Sequence, residues 1–136
     1  MSPLRAGLGL MILVLCGACA ERPPPDPEPV PQAFQSLAAP AELSLEAAPG
    51  HYKTLCAPCH GDAGAGDGPA SVGLDPKPAD FTELDFMWGR SERFLYWRVS
   101  EGKSLTPMPA FKYTLSDEER WALVRWMRAE FSRRAG

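Results

Sequence analysis

The stretch LCAPCHG, Leu55 to Gly61, sets two thiols three positions apart and an imidazole directly after the second, in a chain that has only two histidines. Two exported thiols can close a disulfide, but that pairing leaves His60 unexplained. A zinc site needs four ligands, as two CxxC pairs or one CxxC with two histidines. No second pair follows, and the other histidine, His51, lies just N-terminal to Cys56. Covalent haem uses all three residues. Cys56 and Cys59 would form thioethers to the two vinyl groups, and His60 would coordinate the iron from the proximal side. A helical turn suits this chemistry, because it lines both sulfurs along one porphyrin edge and brings the next residue under the metal.

An electron-carrying haem usually has a second strong axial ligand. His51 sits on the proximal side and cannot easily reach the opposite face. Methionines are the other source. Met1 and Met11 fall in a segment expected to be removed, Met127 lies in a helical pattern beside Trp126, and Met87 stands in an apolar cluster beside Trp88. Met108 differs, because it lies in LTPMPAF between Pro107 and Pro109. Prolines on both sides deny the segment a helix or a central strand and hold an extended loop. Such a loop presents a sulfur with little entropy left to lose, so Met108 is the expected sixth ligand.

The elements that must place these groups read as helices. Ser91 caps a helix over Glu92–Glu101 that Gly102 ends, with Phe94, Leu95, Trp97 and Val99 on its apolar side. SDEE, Ser116 to Glu119, is a capping box. It opens a helix to about Phe131 with apolar Trp121, Leu123, Val124, Trp126 and Met127. Arg125, Arg128, Arg133 and Arg134 gather at its C-terminal end, where they complement the helix dipole. Five glycines between Gly61 and Gly73 suggest a loop passing close to the porphyrin. No strand alternation is convincing.

The N-terminal part is different in kind. Residues 1–19 read as a signal peptide, with Arg5 as a basic start and Leu8 to Leu15 as an apolar core too short to span a bilayer. Its end, LCGAC, is similar to the lipobox of bacterial lipoproteins, except that Cys16 stands where that family usually has Leu. The resemblance implies lipidation of Cys19 and an exported chain on the periplasmic face of a membrane, inner or outer. Residues 20–49 form a Pro-rich acidic linker, with eight prolines between Pro23 and Pro49. Proline fixes φ and removes a donor, so a semi-rigid stalk at about 3.1 Å per residue is expected; the alternative is a packed N-terminal extension that touches the domain through Phe34 or Leu37. The net charge of −3 and a pI near 5.4, with no basic run, argue against nucleic acid as a partner.

Residues 50–136 form the folded domain. GHYKTLCAPCHG, GDGP, LDPKPADF and TPMPAFKYTLSDEERWALVRWMR resemble class I cytochromes c in order and spacing. The resemblance implies an all-α fold, a small cytochrome c of three to five helices around one covalent haem c with His60 and Met108 as ligands. Tyr52 should pack near Trp126, with Gly50 letting two helices cross closely, and a carbonyl of Pro76 or Pro78 should accept a hydrogen bond from His60. Trp88, Arg90 and Tyr96 are candidates to hold the haem propionates. The GDGP/PKPADF segment is similar to small cytochromes of bacterial respiratory complexes, including lipoprotein cytochrome subunits of alternative complex III. The implied function is single-electron transfer between redox protein donors and acceptors of a respiratory chain, not enzymatic catalysis. A fixed subunit of a membrane oxidoreductase is the alternative, and a peroxidase or sensor haem would need an open sixth site. From Asp62 to Asp85 six acids face Lys77 alone, and from Trp88 onward ten basic residues face six acids. That asymmetry can steer a transient encounter. So small a core needs the porphyrin as its centre, and the haem-free chain should be largely unfolded.

Overall fold

The computed structural model describes residues 26–83 and 85–134. The signal segment and Cys19 lie outside the described residues. The described elements run in chain order as α1 (Gln32–Gln35), α2 (Ala48–His51), a π-helical turn (Tyr52–Cys56), α3 (Ala57–His60), a 3-10 turn (Pro69–Ser71), α4 (Glu92–Glu101), a 3-10 turn (Phe111–Tyr113) and α5 (Asp117–Arg134). Among the described residues there is no strand, and the fold is all-α as expected.

The two long helices start where local chemistry says they should. Ser91 Oγ accepts the Phe94 amide at 3.0 Å, and α4 stops at Gly102 with φ of 70°. For α5, the Glu119 amide donates to Ser116 Oγ at 3.2 Å while the Ser116 amide donates to the Glu119 carboxylate at 2.7 Å. That reciprocal pair satisfies two donors that a helix start leaves orphaned. The Ser116 amide and hydroxyl hold the Glu119 carboxyl below its ordinary value.

Helices α4 and α5 pack through stacked Tyr96 and Trp121, whose ring centroids lie 3.9 Å apart at 9°. Buried Arg120 reinforces the contact by donating to Ser100 Oγ and Asp117. At the other side of α5, Tyr52 meets Trp126 at 5.3 Å and Phe131 at 5.1 Å, as the resemblance implied. Phe131, Leu123 and Val124 are fully buried, each contributing about 1.5–3 kcal/mol by removal from water. Gly50 does not do what was expected of it. A Cβ there would meet nothing within 4 Å, and the small residue fully buried in this helix is Ala48.

The expected stalk is also corrected. Residues 26–49 lie against the domain. Val30, Phe34, Ala39 and Leu43 pack on the core, and Phe34 meets Tyr96 at 6.2 Å. Proline-rich backbone has carbonyls with no internal donors, and arginines of α4 and α5 supply them. Arg93 Nε donates to the Leu37 carbonyl at 2.9 Å and Arg125 to the Pro40 carbonyl at 3.2 Å. The boundary placed at Gly50 falls inside α2.

Candidate functional site

The chain enters the CAPCH turn through a widened helical turn, in which the Ala57 amide donates to the Tyr52 carbonyl. The Tyr52 hydroxyl donates to the Gly61 carbonyl at 2.7 Å and so ties the end of α3 back to the start of the widened turn. His60 then projects from the last position of α3. Its Nδ1 lies 3.1 Å from the Ala79 carbonyl. A carbonyl only accepts, so Nδ1 carries the proton and Nε2 keeps a free lone pair. The expected acceptor, Pro76 or Pro78, is neither. The carbonyl belongs to the residue after Pro78. Phe81 stacks on the imidazole at 4.5 Å and 17° and touches Phe86 and Phe131 at 5.3 and 5.4 Å. Burial pulls the His60 pKa down, partly offset by the Ala79 hydrogen bond, which favours the neutral, ligating imidazole. Burial also pushes the Cys56 thiol up to about 12, with Cys59 adding to the effect.

Met108 comes from the loop between α4 and the Phe111–Tyr113 turn. The Lys103 amide donates to its carbonyl at 3.2 Å, and its own amide reaches Thr106 Oγ1 at 3.3 Å. Gly102 makes this loop possible. A Cβ there would stand 2.4 Å from the Met108 carbonyl oxygen and 2.7 Å from that of Pro109, and its φ is one that L residues avoid. Gly102→Ala should therefore destabilise the protein by about 1–3 kcal/mol. It should also displace the Met108 loop, which thermal melts together with the optical spectrum of the ferric protein will register.

His60 and Met108 line one cavity with two adjoining lobes, of about 250 and 290 Å³. Ala79, Phe81, Val99, Lys103 and Met127 also face both lobes. Cys56, Cys59, Pro76, Pro78 and Pro107 line only the larger. Arg90, Arg98, Phe94, Pro27 and Glu28 line only the smaller. Three expectations are refined here. Met127, read as packing, is buried and also faces the cavity. Of the three propionate candidates only Arg90 lines it. Tyr96 is buried in its stack on Trp121, and Trp88 is exposed. The glycine-rich loop faces neither lobe. At Gly66 a Cβ would meet the Pro78 carbonyl oxygen at 2.6 Å, so this loop is glycine-rich to approach backbone, next to the carbonyl that holds His60.

Sequence reasoning missed Ala79, Phe81, Arg98 and Lys103 as site residues. Phe81 had a signal, since it closes the LDPKPADF segment. Nothing local marks the others.

An all-α chain that encloses two thiols, a neutral imidazole and a thioether in one largely apolar cavity is a small c-type cytochrome. The profile described as "Cytochrome C oxidase, cbb3-type, subunit III" matches residues 44–127, and the chain belongs to this family. No curated protein matches the sequence. Among solved structures it is similar to a protein of the Kuenenia stuttgartiensis reducing HAO-like protein complex Kustc0457/Kustc0458. That match has 32% identity and a TM-score of 0.54, and covers 76% of this chain and 46% of that one. The chain thus spans under half the length of that protein. A second similar structure is the KustC0563 c-type cytochrome, with 27% identity and a TM-score of 0.51, covering 62% of this chain and 95% of that one.

The protein is a haem electron-transfer domain with one covalently bound haem c. The residues present fit that group. The cavity supplies both cysteines, an imidazole whose free lone pair is set by the Ala79 hydrogen bond, and walls of Phe81, Val99 and Met127.

Proposed function

We propose that the chain is a membrane-tethered cytochrome that carries single electrons between respiratory partners, with His60 and Met108 as the axial pair. The observation that carries this reading is that both side chains line one cavity from separate elements. The haem supplies a one-electron Fe(II)/Fe(III) couple. Phe81 and the Ala79 carbonyl fix the imidazole ring, and the Thr106 and Lys103 bonds hold the Met108 loop, so neither ligand needs to move between oxidation states. A thioether ligand favours the reduced state and raises the potential relative to two imidazoles. Apolar walls act in the same direction by disfavouring the extra positive charge. Cys19 carries the lipid, and the domain works on the periplasmic face of the membrane.

The test is the optical spectrum of the periplasmically matured protein, oxidised and reduced. The pigment should resist acid–acetone extraction, and the ferric form should show the weak far-red sulfur-to-iron band. An extractable pigment or a ferric spectrum without that band would end the His60/Met108 reading.

A second reading, a fixed subunit of a membrane oxidoreductase, is favoured by the packing of residues 26–49. With these on the domain, six residues separate Cys19 from Asp26. Fully extended they reach about 20 Å, a short leash for a protein that must visit distant partners. Co-purification with a large complex distinguishes this reading from a shuttle.

A further inference from the structure

We propose that the segment from Asp26 to Phe34 is a fixed wall of the haem cavity, a part of the cofactor site that lies outside the family match and is latched shut by two carboxylates. This rests on the haem-domain reading above. The family match begins at residue 44, yet Pro27 and Glu28 line the smaller lobe together with His60 and Met108. Three contacts hold the segment there. The Asp26 carboxylate accepts from the Ser91 amide at 2.6 Å and from the Ser91 hydroxyl at 2.7 Å. Glu28 pairs with Arg98, whose side chain is mostly buried. Phe34 meets Tyr96 on the far side of α4.

The surroundings of each carboxylate contact favour it. Ser91 is the N-cap of α4, so its amide lies at the positive end of a ten-residue helix, where a carboxylate is favoured. The Ser91 hydroxyl accepts from Phe94 and donates to Asp26 at once, so the latch and the cap share one oxygen. Arg98 has its guanidinium 4.0 Å from the Trp97 ring centroid, its side chain is 16% exposed, and Glu28 is its carboxylate partner. Among the described residues the cations lining this lobe are Arg90, Arg98 and Lys103, and the acid lining it is Glu28. Without the segment the smaller lobe would lose the wall that Pro27 and Glu28 form. The larger lobe, with both cysteines, has no strap residue in its lining.

The test uses the full haem-loaded chain and exogenous imidazole as the probe. The variant is Asp26→Asn with Glu28→Gln, which removes both latching charges and keeps the side-chain sizes. Loss of both latching charges, discounted for exposure, should speed imidazole binding to the ferric iron about tenfold or more, with haem content unchanged. Ser116→Ala is the control. It removes the side-chain cap of α5 and no contact of the strap, and lowers stability, and its imidazole rate should stay that of the parent. Equal rates in the double variant and the parent would overturn the proposal, and so would an equal acceleration in Ser116→Ala. The far-red ferric band of the parent reports on Met108 separately, so a wrong axial ligand and a wrong wall give different results.

Discussion

Met108→Leu should abolish the far-red ferric band and lower the reduction potential by on the order of 0.1 V or more, within the ~0.8 V that axial ligands command. Leucine keeps the volume and the apolar character of the side chain, so the cavity wall survives and only the sulfur is lost. The loop should stay in place, because Lys103 and Thr106 hold the backbone of residue 108 and not its side chain. The thioether's preference for Fe(II) disappears with the sulfur, so the ferric state gains and the potential falls. Spectroelectrochemical titration of both proteins reads the shift. An unchanged band and potential would remove Met108 from the iron.

Cys56→Ala/Cys59→Ala should abolish covalent haem and leave a chain without a cooperative thermal transition. Phe81, Val99 and Met127 of the hydrophobic cluster face both lobes of the cavity, and Val124 faces the smaller. With the cofactor absent these side chains have partners on one side only, which forfeits contact energy as a void does. A domain of this size has little stability to spare for that loss. Circular dichroism with temperature checks it, and a sharp, haem-free unfolding transition in the double variant would show that the polypeptide has a sufficient core of its own.

The helices were legible because their signals are short-range. Ser91, Gly102 and the SDEE box act within one turn, and α4 begins and ends where those residues place its limits. The haem motif was legible for the same reason, being five consecutive residues. The N-terminal segment was not. Its prolines argue for extended backbone, and nothing in them tells whether that backbone stands free or lies on a surface. The deciding donors are Arg93 and Arg125, 56 and 85 positions away from the carbonyls they reach. The His60 acceptor was narrowed to a proline-rich stretch and missed by one residue, because the choice among neighbouring carbonyls depends on how the glycine loop seats against Pro78. That seating is a tertiary fact. Gly50 misled in the other direction, since a glycine before an aromatic reads as a crossing point, while fully buried Ala48 lies two positions earlier.

The widened turn at Tyr52–Cys56 sets an angle. In an uninterrupted α-helix each residue advances about 100° around the axis, so a turn with one surplus residue rotates everything after it by that amount relative to everything before. Tyr52 faces Trp126 and Phe131 on α5, while His60 faces the cavity. The extra residue acts as a phase offset between those two directions. Shortening this turn by a single residue would leave the tyrosine anchored and swing the imidazole away from the methionine, with every atom of the CAPCH sequence still present.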